Sequence, residues 1–360
     1  MRTFLQAGAM PEIIIGGRLI GPSHPPFTIA EVGLNHNGEL SKALEMARVA
    51  RDAGADAVKF QTFKASEIVT DPKQTYTYRS QGVAVTESMQ AMFQRCELRR
   101  DDWFMLKAEC DRLGIVFMST PQNRSDLDIL LEVGVPAVKI GSDDFTNLPL
   151  LSSYAATGLP IILSCGMADL AEVYRSLDTI GAFDGYPIVL LLCTSQYPTP
   201  PADVNLAKLR TLRAAFPQLT LGFSDHTEGP LASSVAVALG AAVFEKHFTL
   251  SHDLPGPDHW FSETPDTLRQ WVESIAKAHK MMGSPLIRPT DAEREMRRIA
   301  RRSIVALHAI ATGDKLTSAN VAIRRPATGL PPDLLDAILG RTVTRALQAG
   351  EPLTLAHITT

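Results

Sequence analysis

The chain has 360 residues, 45% hydrophobic and 21% charged, with a formal net charge of −4. That balance suits a soluble globular protein of about two domains and excludes disordered, collagen-like and fibrous chains. It also speaks against general nucleic-acid binding, and no apolar run, Ile188 to Cys193 included, approaches the ~20 residues of a membrane span.

From the N-terminus, residues 12–20 predict a hairpin, with Gly16-Gly17 turning between two apolar arms. The first twenty residues carry no long apolar segment of the secretory-leader kind. Eight short apolar strands follow, at 27–33, 57–61, 115–119, 137–142, 160–166, 188–195, 220–225 and 243–249. They read as continuous hydrophobic runs, as strands buried on both faces do. Amphipathic helices lie between them, among others at 41–53, 102–113, 125–133, 206–216 and 229–239. The first sets Ala43, Leu44, Ala47 and Ala50 on one face, with Ser41 to cap it and Gly54 to end it. Eight βα units in ~260 residues predict an α/β fold of the (β/α)8, or TIM barrel, type, with the hairpin plugging its floor. An open doubly wound sheet is the alternative; no GxGxxG turn follows the first strand to support it.

The barrel domain is expected over 1–285. Gly283, Pro285 and Pro289 then mark a change of composition, and 286–302 reads as a linker. Its arginines (Arg294, Arg297, Arg298, Arg301, Arg302) predict a solvated helix face. Residues 303–360 form a second domain, too small to bury much core alone. The four cysteines (Cys96, Cys110, Cys165, Cys193) lack CxxC spacing, so a disulfide framework or zinc knot is not expected and a reducing cytoplasm is. Cys165 and Cys193 read as small core residues.

A barrel of this kind carries its active site at the C-terminal ends of its strands. Polar residues gather there strand after strand: Glu31, then Lys59 and Gln61, Ser119 and Thr120, Lys139 and Ser142, Ser164, Ser195, Ser224, and Glu245. A lysine in a buried strand is costly unless it meets an anion. Lys59 and Lys139, with the hydroxyls, therefore predict a phosphate or carboxylate site; the alternative is internal Lys–Glu pairing within the barrel mouth. His226 and His247 close the last two strands, which are neighbours in a barrel. They could share one divalent ion or be hydrogen-bonded to carboxylates. Glu31 and Glu245 are candidate outer partners or acid–base groups. The proline-rich stretch from His252 to His259 predicts a rigid loop above the last strand, bringing Asp258 toward the site or into a turn, with Trp260 and Phe261 as lid packing.

The ordered motifs resemble the sialic-acid synthase family, which includes N-acetylneuraminate, legionaminate and pseudaminate synthases. They are EVGLNHNG from Glu31 to Gly38, VKFQ at 58–61, STP at 119–121, KIGS at 139–142, CTSQYPTP at 193–200, SDHT at 224–227, EKH at 245–247 and PGPD at 255–258. The last 60 residues resemble the antifreeze-like (SAF) domain of that family, marked by Arg324-Arg325-Pro326. The resemblance implies condensation of phosphoenolpyruvate with an open-chain N-acylated hexosamine, N-acetylmannosamine first, giving a nine-carbon 2-keto acid and phosphate. A 2,4-diacetamido-trideoxyhexose, as in legionaminate or pseudaminate synthases, is the alternative acceptor. It implies Lys59, Thr120, Lys139, Ser142, Ser164, Ser195 and Ser224 as the phosphoenolpyruvate site. It implies His226 and His247 as ligands of a divalent metal, manganese first and magnesium or cobalt as alternatives. Glu31 and Asp144 would be catalytic, while Gln61, Tyr197, Asp258 and Arg325 would contact the sugar. Arg325 would do so from the partner subunit of a domain-swapped homodimer, which gives the small domain its supporting surface. No nucleic acid or membrane partner is implied.

Two positions depart from the family pattern. The Gly-Glu that often follows KIGS is Asp143-Asp144, and an asparagine after Cys-Thr is Ser195. Neither change removes an essential charge, so an active enzyme with a shifted sugar preference is expected. Competing readings are a condensation yielding a seven- or eight-carbon keto acid, and a non-catalytic carbohydrate- or ice-binding protein acting through the C-terminal domain. A strong preference for the diacetamido sugar would point to the loops around Gln61 and 71–82 as its readers.

Overall fold

The computed structural model describes residues 13–359. Strands β1 (Ile13–Ile15) and β2 (Arg18–Ile20) pair antiparallel around the Gly16-Gly17 turn; Glu12, expected to open this hairpin, lies outside the described residues. The barrel begins with β3 (Phe27–Gly33) and β4 (Ala57–Thr62). A second hairpin, β5 (Thr75–Ser80) and β6 (Val83–Ser88), interrupts it. The barrel resumes with β7 (Val116–Pro121), β8 (Val138–Ile140), β9 (Ile161–Ser164), β10 (Ile188–Cys193), β11 (Thr220–Asp225) and β12 (Val243–His247). The eight strands run parallel in the order β7-β4-β3-β12-β11-β10-β9-β8, so only the β7–β8 junction lacks a hydrogen-bonded ladder among the described residues. This is a nearly closed (β/α)8 barrel, as expected from the sequence.

The continuous hydrophobic runs are buried on both sides. Every residue of β3 and of β10 is buried. Inside the floor, Ile13, Ile15 and Ile20 of the first hairpin pack on Phe27, Ile29, Met118, Ile162, Val189 and Leu191. The hairpin thus plugs the barrel as its apolar arms suggested. Outside, the strands pack against helices such as Leu40–Asp52, Arg100–Leu113, Leu170–Ile180 and Pro265–Met282. Gly222 of β11 marks where the wall is tightest: a Cβ there would stand 2.4 Å from both Val243 O and Leu191 Cδ2, so only glycine fits.

Several strands are shorter than their apolar runs. The stretch 137–142 yields only Val138–Ile140, because Ser142 leaves the ladder and its Oγ accepts from Gly166 N at 3.0 Å. The stretch 188–195 stops at Cys193, where Thr194 O is taken by His226 Nδ1 and by Gln196 N. Ser41 does not cap the first helix; Glu39 stands at that position without a side-chain cap.

The chain divides after Gly283 into two compact units, two residues earlier than expected. The stretch expected as a linker holds a helix, Asp291–Ala300, with a capping box of Thr290 and Glu293. Its arginines are exposed, and Arg298 O accepts from Ala327 N of the same unit. In that unit β13 (Ser303–Ala306) pairs antiparallel with β14 (Val321–Arg324) over a core that includes Ile304, Leu316, Val343, Leu347 and Leu353.

One buried carboxyl yields a stability prediction. Asp126 closes the capping box of helix Arg124–Val133, Oδ2 accepting from Asn123 N at 3.0 Å, while Oδ1 has no partner. Burial, opposed by the Asn123 amide, raises its pKa from 3.8 to about 6. A carboxyl raised in the fold destabilises it only where it must ionise. The burden is absent below the unfolded pKa, grows as pH rises, and is complete above about 6. Asp126→Asn is expected to raise stability by about 1–2 kcal/mol near pH 8, part of the two-unit gain being offset by the lost charge at the helix N-terminus. Near pH 4 thermal melts of the two proteins should nearly coincide. A lower Tm for the variant near pH 8 would refute this account.

Candidate active site

Side chains alternate along a strand, so residues two apart share a face. Lys59 and Gln61 of β4, Ser224 of β11 with His226 just beyond it, and Glu245 and His247 of β12 all line one cavity of about 270 Å³ at the C-terminal mouth. Glu31, Thr120, Lys139, Ser142, Ser164, Cys193, Ser195 and Tyr197 complete most of its wall. A larger hollow of about 650 Å³ lies at the opposite end of the strands, lined by Pro22, Gly240 and His279 among others. It holds no comparable group of buried charges, and the chemistry belongs to the smaller cavity.

The buried charges form a compact box. Lys59 Nζ stands 2.7 Å from Glu31 Oε2 and 3.6 Å from Glu245 Oε2, and donates to Thr120 Oγ1 at 3.0 Å. Lys139 Nζ donates to Ser164 Oγ at 2.8 Å and stands 3.5 Å from Glu245 Oε1. Ser224 Oγ donates to Glu245 Oε1 at 3.1 Å, and Gln61 Nε2 to Glu31 Oε1 at 3.1 Å. Both readings of the lysines are therefore present at once: they are paired internally, and they face a cavity lined with hydroxyls.

The two glutamates are unequal. Burial tends to raise Glu245, but Lys139 and Lys59 outweigh it and hold the carboxyl below its ordinary range. Burial dominates at Glu31 and pushes it up to about 7 although Lys59 opposes. Burial would lower Lys59, yet Glu245 and Glu31 hold it above its usual value; at Lys139 burial wins and the ammonium is lowered. Glu31 is thus the carboxyl able to take up a proton near neutrality, and when it does the box gains positive charge for an entering anion.

The histidines lie side by side, ring centroids 5.6 Å apart, with the Tyr197 ring 4.1 Å from His226 and the Phe261 ring 5.5 Å from His247. His226 Nδ1 is 2.8 Å from Thr194 O, and a donated proton there fixes the tautomer that leaves Nε2 as the lone-pair donor. His247 Nδ1 is buried with no hydrogen-bond partner, and burial, with His226 and Lys59, holds this ring well below its ordinary pKa, hence neutral. At His226 burial is outweighed by Cys193 and the Thr194 carbonyl, which hold that ring above its usual pKa. An adjacent pair of imidazoles, one with an unpartnered nitrogen, fits a divalent cation, which would displace any proton on His226. Among the described residues no group of three or more His, Cys, Asp or Glu is close enough to hold one unaided.

Not every expected residue is here. Asp143, not Asp144, lines the cavity. Asp144 Oδ1 accepts from Asn147 Nδ2 at 3.1 Å, at the turn into helix Leu148–Ala155. The strand ends at Ile140, so alternation no longer says which of two adjacent carboxylates faces inward. Asp258 sits at the edge: its Oδ2 and His247 Nδ1 lie 3.1 and 3.3 Å from the point a Cβ of Gly33 would take. Burial, opposed by the Leu34 amide, raises it to about 6. Its loop is held by Asn37 Nδ2 donating to Pro255 O at 2.8 Å, Gln81 Nε2 to Asp253 O at 2.7 Å, and Gly256 N to Ser80 Oγ at 3.1 Å. The stretch read as a candidate sugar-reading loop is therefore a hairpin bracing the 252–262 loop. Arg325 is exposed on the C-terminal unit, after β14. Glu245, read from the sequence as an outer partner or an acid–base group, is the hub that joins both lysines.

Residues 46–286 match the NeuB family, and residues 301–359 match the SAF domain. The chain is 40% identical to the N,N'-diacetyllegionaminic acid synthase of Legionella pneumophila, over 94% of this chain and 96% of that one. It is 32% identical to human N-acetylneuraminate-9-phosphate synthase, over 91% of each. Among solved structures it resembles the N-acetylneuraminic acid synthetase of Leptospira borgpetersenii, with 33% identity and a TM-score of 0.72 over 80% of this chain and 96% of that one.

Proposed function

The chain belongs to the NeuB family, and from that premise we propose that it joins phosphoenolpyruvate to an open-chain N-acylated amino sugar, giving a nine-carbon 2-keto acid and inorganic phosphate. The observation that carries this reading is the buried Lys59–Glu31–Glu245–Lys139 box beside the His226–His247 pair. Lys59 and Lys139, with Thr120, Ser142, Ser164, Ser195 and Ser224, would hold the phosphate and carboxylate. Gln61, Tyr197 and Asp258 lie at or beside the cavity where a sugar would enter.

His226 and His247 would hold a divalent ion, manganese first, which when bound supplies Lewis-acid polarisation of the aldehyde. The enol carbon of phosphoenolpyruvate forms the new C–C bond, and positive character develops at its C2. Glu31 and Asp143 are the carboxylates on the wall that can offset that charge. Glu31 takes one proton of the water that adds to C2 and passes it on to the former aldehyde oxygen, which becomes a hydroxyl; the C–O bond to phosphate then breaks as the C2 hydroxyl becomes the keto group and its proton leaves with phosphate. Atoms balance as one phosphoenolpyruvate, one sugar and one water giving one keto acid and one phosphate.

The acceptor we favour is a 2,4-diacetamido-trideoxyhexose, on the strength of the 40% identity to a legionaminic acid synthase against 32% to a neuraminate-9-phosphate synthase. N-acetylmannosamine is the second reading. No arginine lines the cavity among the described residues, and its lysines are committed to one anion, which speaks against a phosphorylated acceptor. The reading includes a homodimer in which Arg325 reaches the N-acyl group on a second copy. No helix among the described residues is long and apolar enough to cross a membrane.

Phosphate release with manganese, phosphoenolpyruvate and each sugar tests this. Turnover with 2,4-diacetamido-2,4,6-trideoxymannose at least about tenfold above N-acetylmannosamine is expected, a ratio within reach of one or two differential contacts. The reverse order would transfer the assignment to an N-acetylneuraminate synthase, and release with neither would end the proposal.

A further inference from the structure

The faces of β11 and β12 turned away from the cavity carry a second set of buried charges. Asp225 and Lys246 alternate with Ser224 and Glu245, so they point behind the site. Lys246 Nζ is 3.2 Å from Asp225 Oδ2 and 3.5 Å from Glu263 Oε1, and also donates to Thr227 O. All three charged side chains are less than a tenth exposed. Asp225 Oδ1 accepts from Thr227 N at 2.9 Å and Thr227 Oγ1 at 2.7 Å, and Oδ2 from Ser233 Oγ at 2.6 Å. Ser233 Oγ in turn accepts from Trp271 Nε1 at 2.9 Å. Glu263 Oε1 accepts from Gly229 N at 3.0 Å, while its backbone N donates to His247 O at 2.9 Å.

We infer that Lys246, Asp225 and Glu263 form a positioning network for the histidine pair, setting both the placement of the rings and the charge behind them. This rests on His226 and His247 holding a divalent cation. Each end of the network seizes the backbone beside one histidine: Thr227 follows His226, and Glu263 is paired through its amide to His247. The network thereby fixes the separation of two rings that come from different strands. It also carries one ammonium and two carboxylates, a net charge of −1, behind the two imidazoles. A buried ionic trio is a poor way to gain stability, since well-packed apolar residues do as well or better. What it adds here is geometry and a negative field that favours a cation on the far side, as outer partners do at metal sites.

The test is Mn2+ binding to the full-length metal-free protein by calorimetry or electron paramagnetic resonance, with phosphoenolpyruvate binding and thermal melts beside it. Glu263→Gln keeps the acceptor for Gly229 N but removes the charge. It is expected to weaken Mn2+ binding by about tenfold or more, with phosphoenolpyruvate affinity unchanged within about twofold and no collective loss of fold. Glu263→Asp, which retains the charge, should recover most of the affinity, and Asp225→Asn should weaken binding as Glu263→Gln does. Unchanged Mn2+ affinity in Glu263→Gln overturns the inference. So does a parallel loss of Mn2+ affinity, phosphoenolpyruvate affinity and Tm in all three variants, which marks a merely structural network. Mn2+ binding that survives His226→Ala and His247→Ala refutes the metal reading itself, a result separable from the other two.

Discussion

Lys139→Met is expected to lower kcat/KM for phosphoenolpyruvate about a thousandfold, roughly 4 kcal/mol, while leaving the fold intact. The size follows from burial: the ammonium is 3% exposed and would meet its anion without competing water. The survival of the fold follows from Glu245. When Lys139 is removed, that carboxylate still faces Lys59 at 3.6 Å and Ser224 at 3.1 Å. Lys59→Met is the harsher change, because Glu31 then keeps only Gln61, and breaking such a buried pair costs about 3–5 kcal/mol. Lys139→Arg should not restore activity, since a planar fork does not reproduce the point charge that meets both Ser164 and Glu245. Steady-state kinetics with varied phosphoenolpyruvate decide the matter. A KM and kcat within about threefold of the parent in Lys139→Met would remove the lysines from substrate binding and leave them as structural pairs.

The barrel was legible because its strands have no polar face. Runs such as Ile188 to Cys193 leave no choice but burial on both sides, and eight of them with helices between fit few architectures. The hairpin at 75–88 was not legible. Thr75, Tyr76, Thr77 and Tyr78 do alternate as strand formers, but most of the hairpin is exposed and no run of aliphatic residues marks it as a buried strand. Gln81-Gly82 at its tip, both with positive φ, is a hairpin turn written in a less usual residue pair.

At the site, alternation places the strand residues, while beyond the strand ends Ser142, Ser195, Tyr197 and His226 reach the cavity and Asp144 does not. Lys59 with Gln61, and Glu245 with His247, are two apart on continuous strands, so they share the inner face. Asp143 and Asp144 follow a strand that ends three residues earlier, at Ile140, and the loop geometry alone decides between them. Glu245 could be placed on the mouth, but its tie to both lysines depends on strands that are distant in sequence. The outward charges Asp225 and Lys246 were hidden within the same two motifs that carry the histidines, and only their parity separates them from the cavity.

His247→Ala is expected to abolish stoichiometric Mn2+ binding and to cut phosphate release by at least about a thousandfold, the several kcal/mol that a Lewis acid supplies. The effect is large because the donor set is small. Among the described residues no group of three or more candidate ligands stands there or elsewhere to capture the ion once one imidazole is gone. His226→Ala should behave alike, since its Nδ1 is already engaged by Thr194 O and only the other ring nitrogen is left to serve as a metal ligand. Phosphoenolpyruvate should still bind both variants within about threefold, because in the proposed arrangement its contacts would fall to Lys59, Lys139 and the hydroxyls rather than to the rings. His308→Ala, an exposed position on the C-terminal unit, should leave metal binding and turnover as they are. Chelator-treated parent protein should lose activity and recover it on adding manganese. Full turnover after exhaustive chelation, or Mn2+ affinity indifferent to both histidines, would show that the rings serve the sugar or the fold. The unpartnered Nδ1 of His247 would then call for a hydrogen bond from substrate instead of a metal.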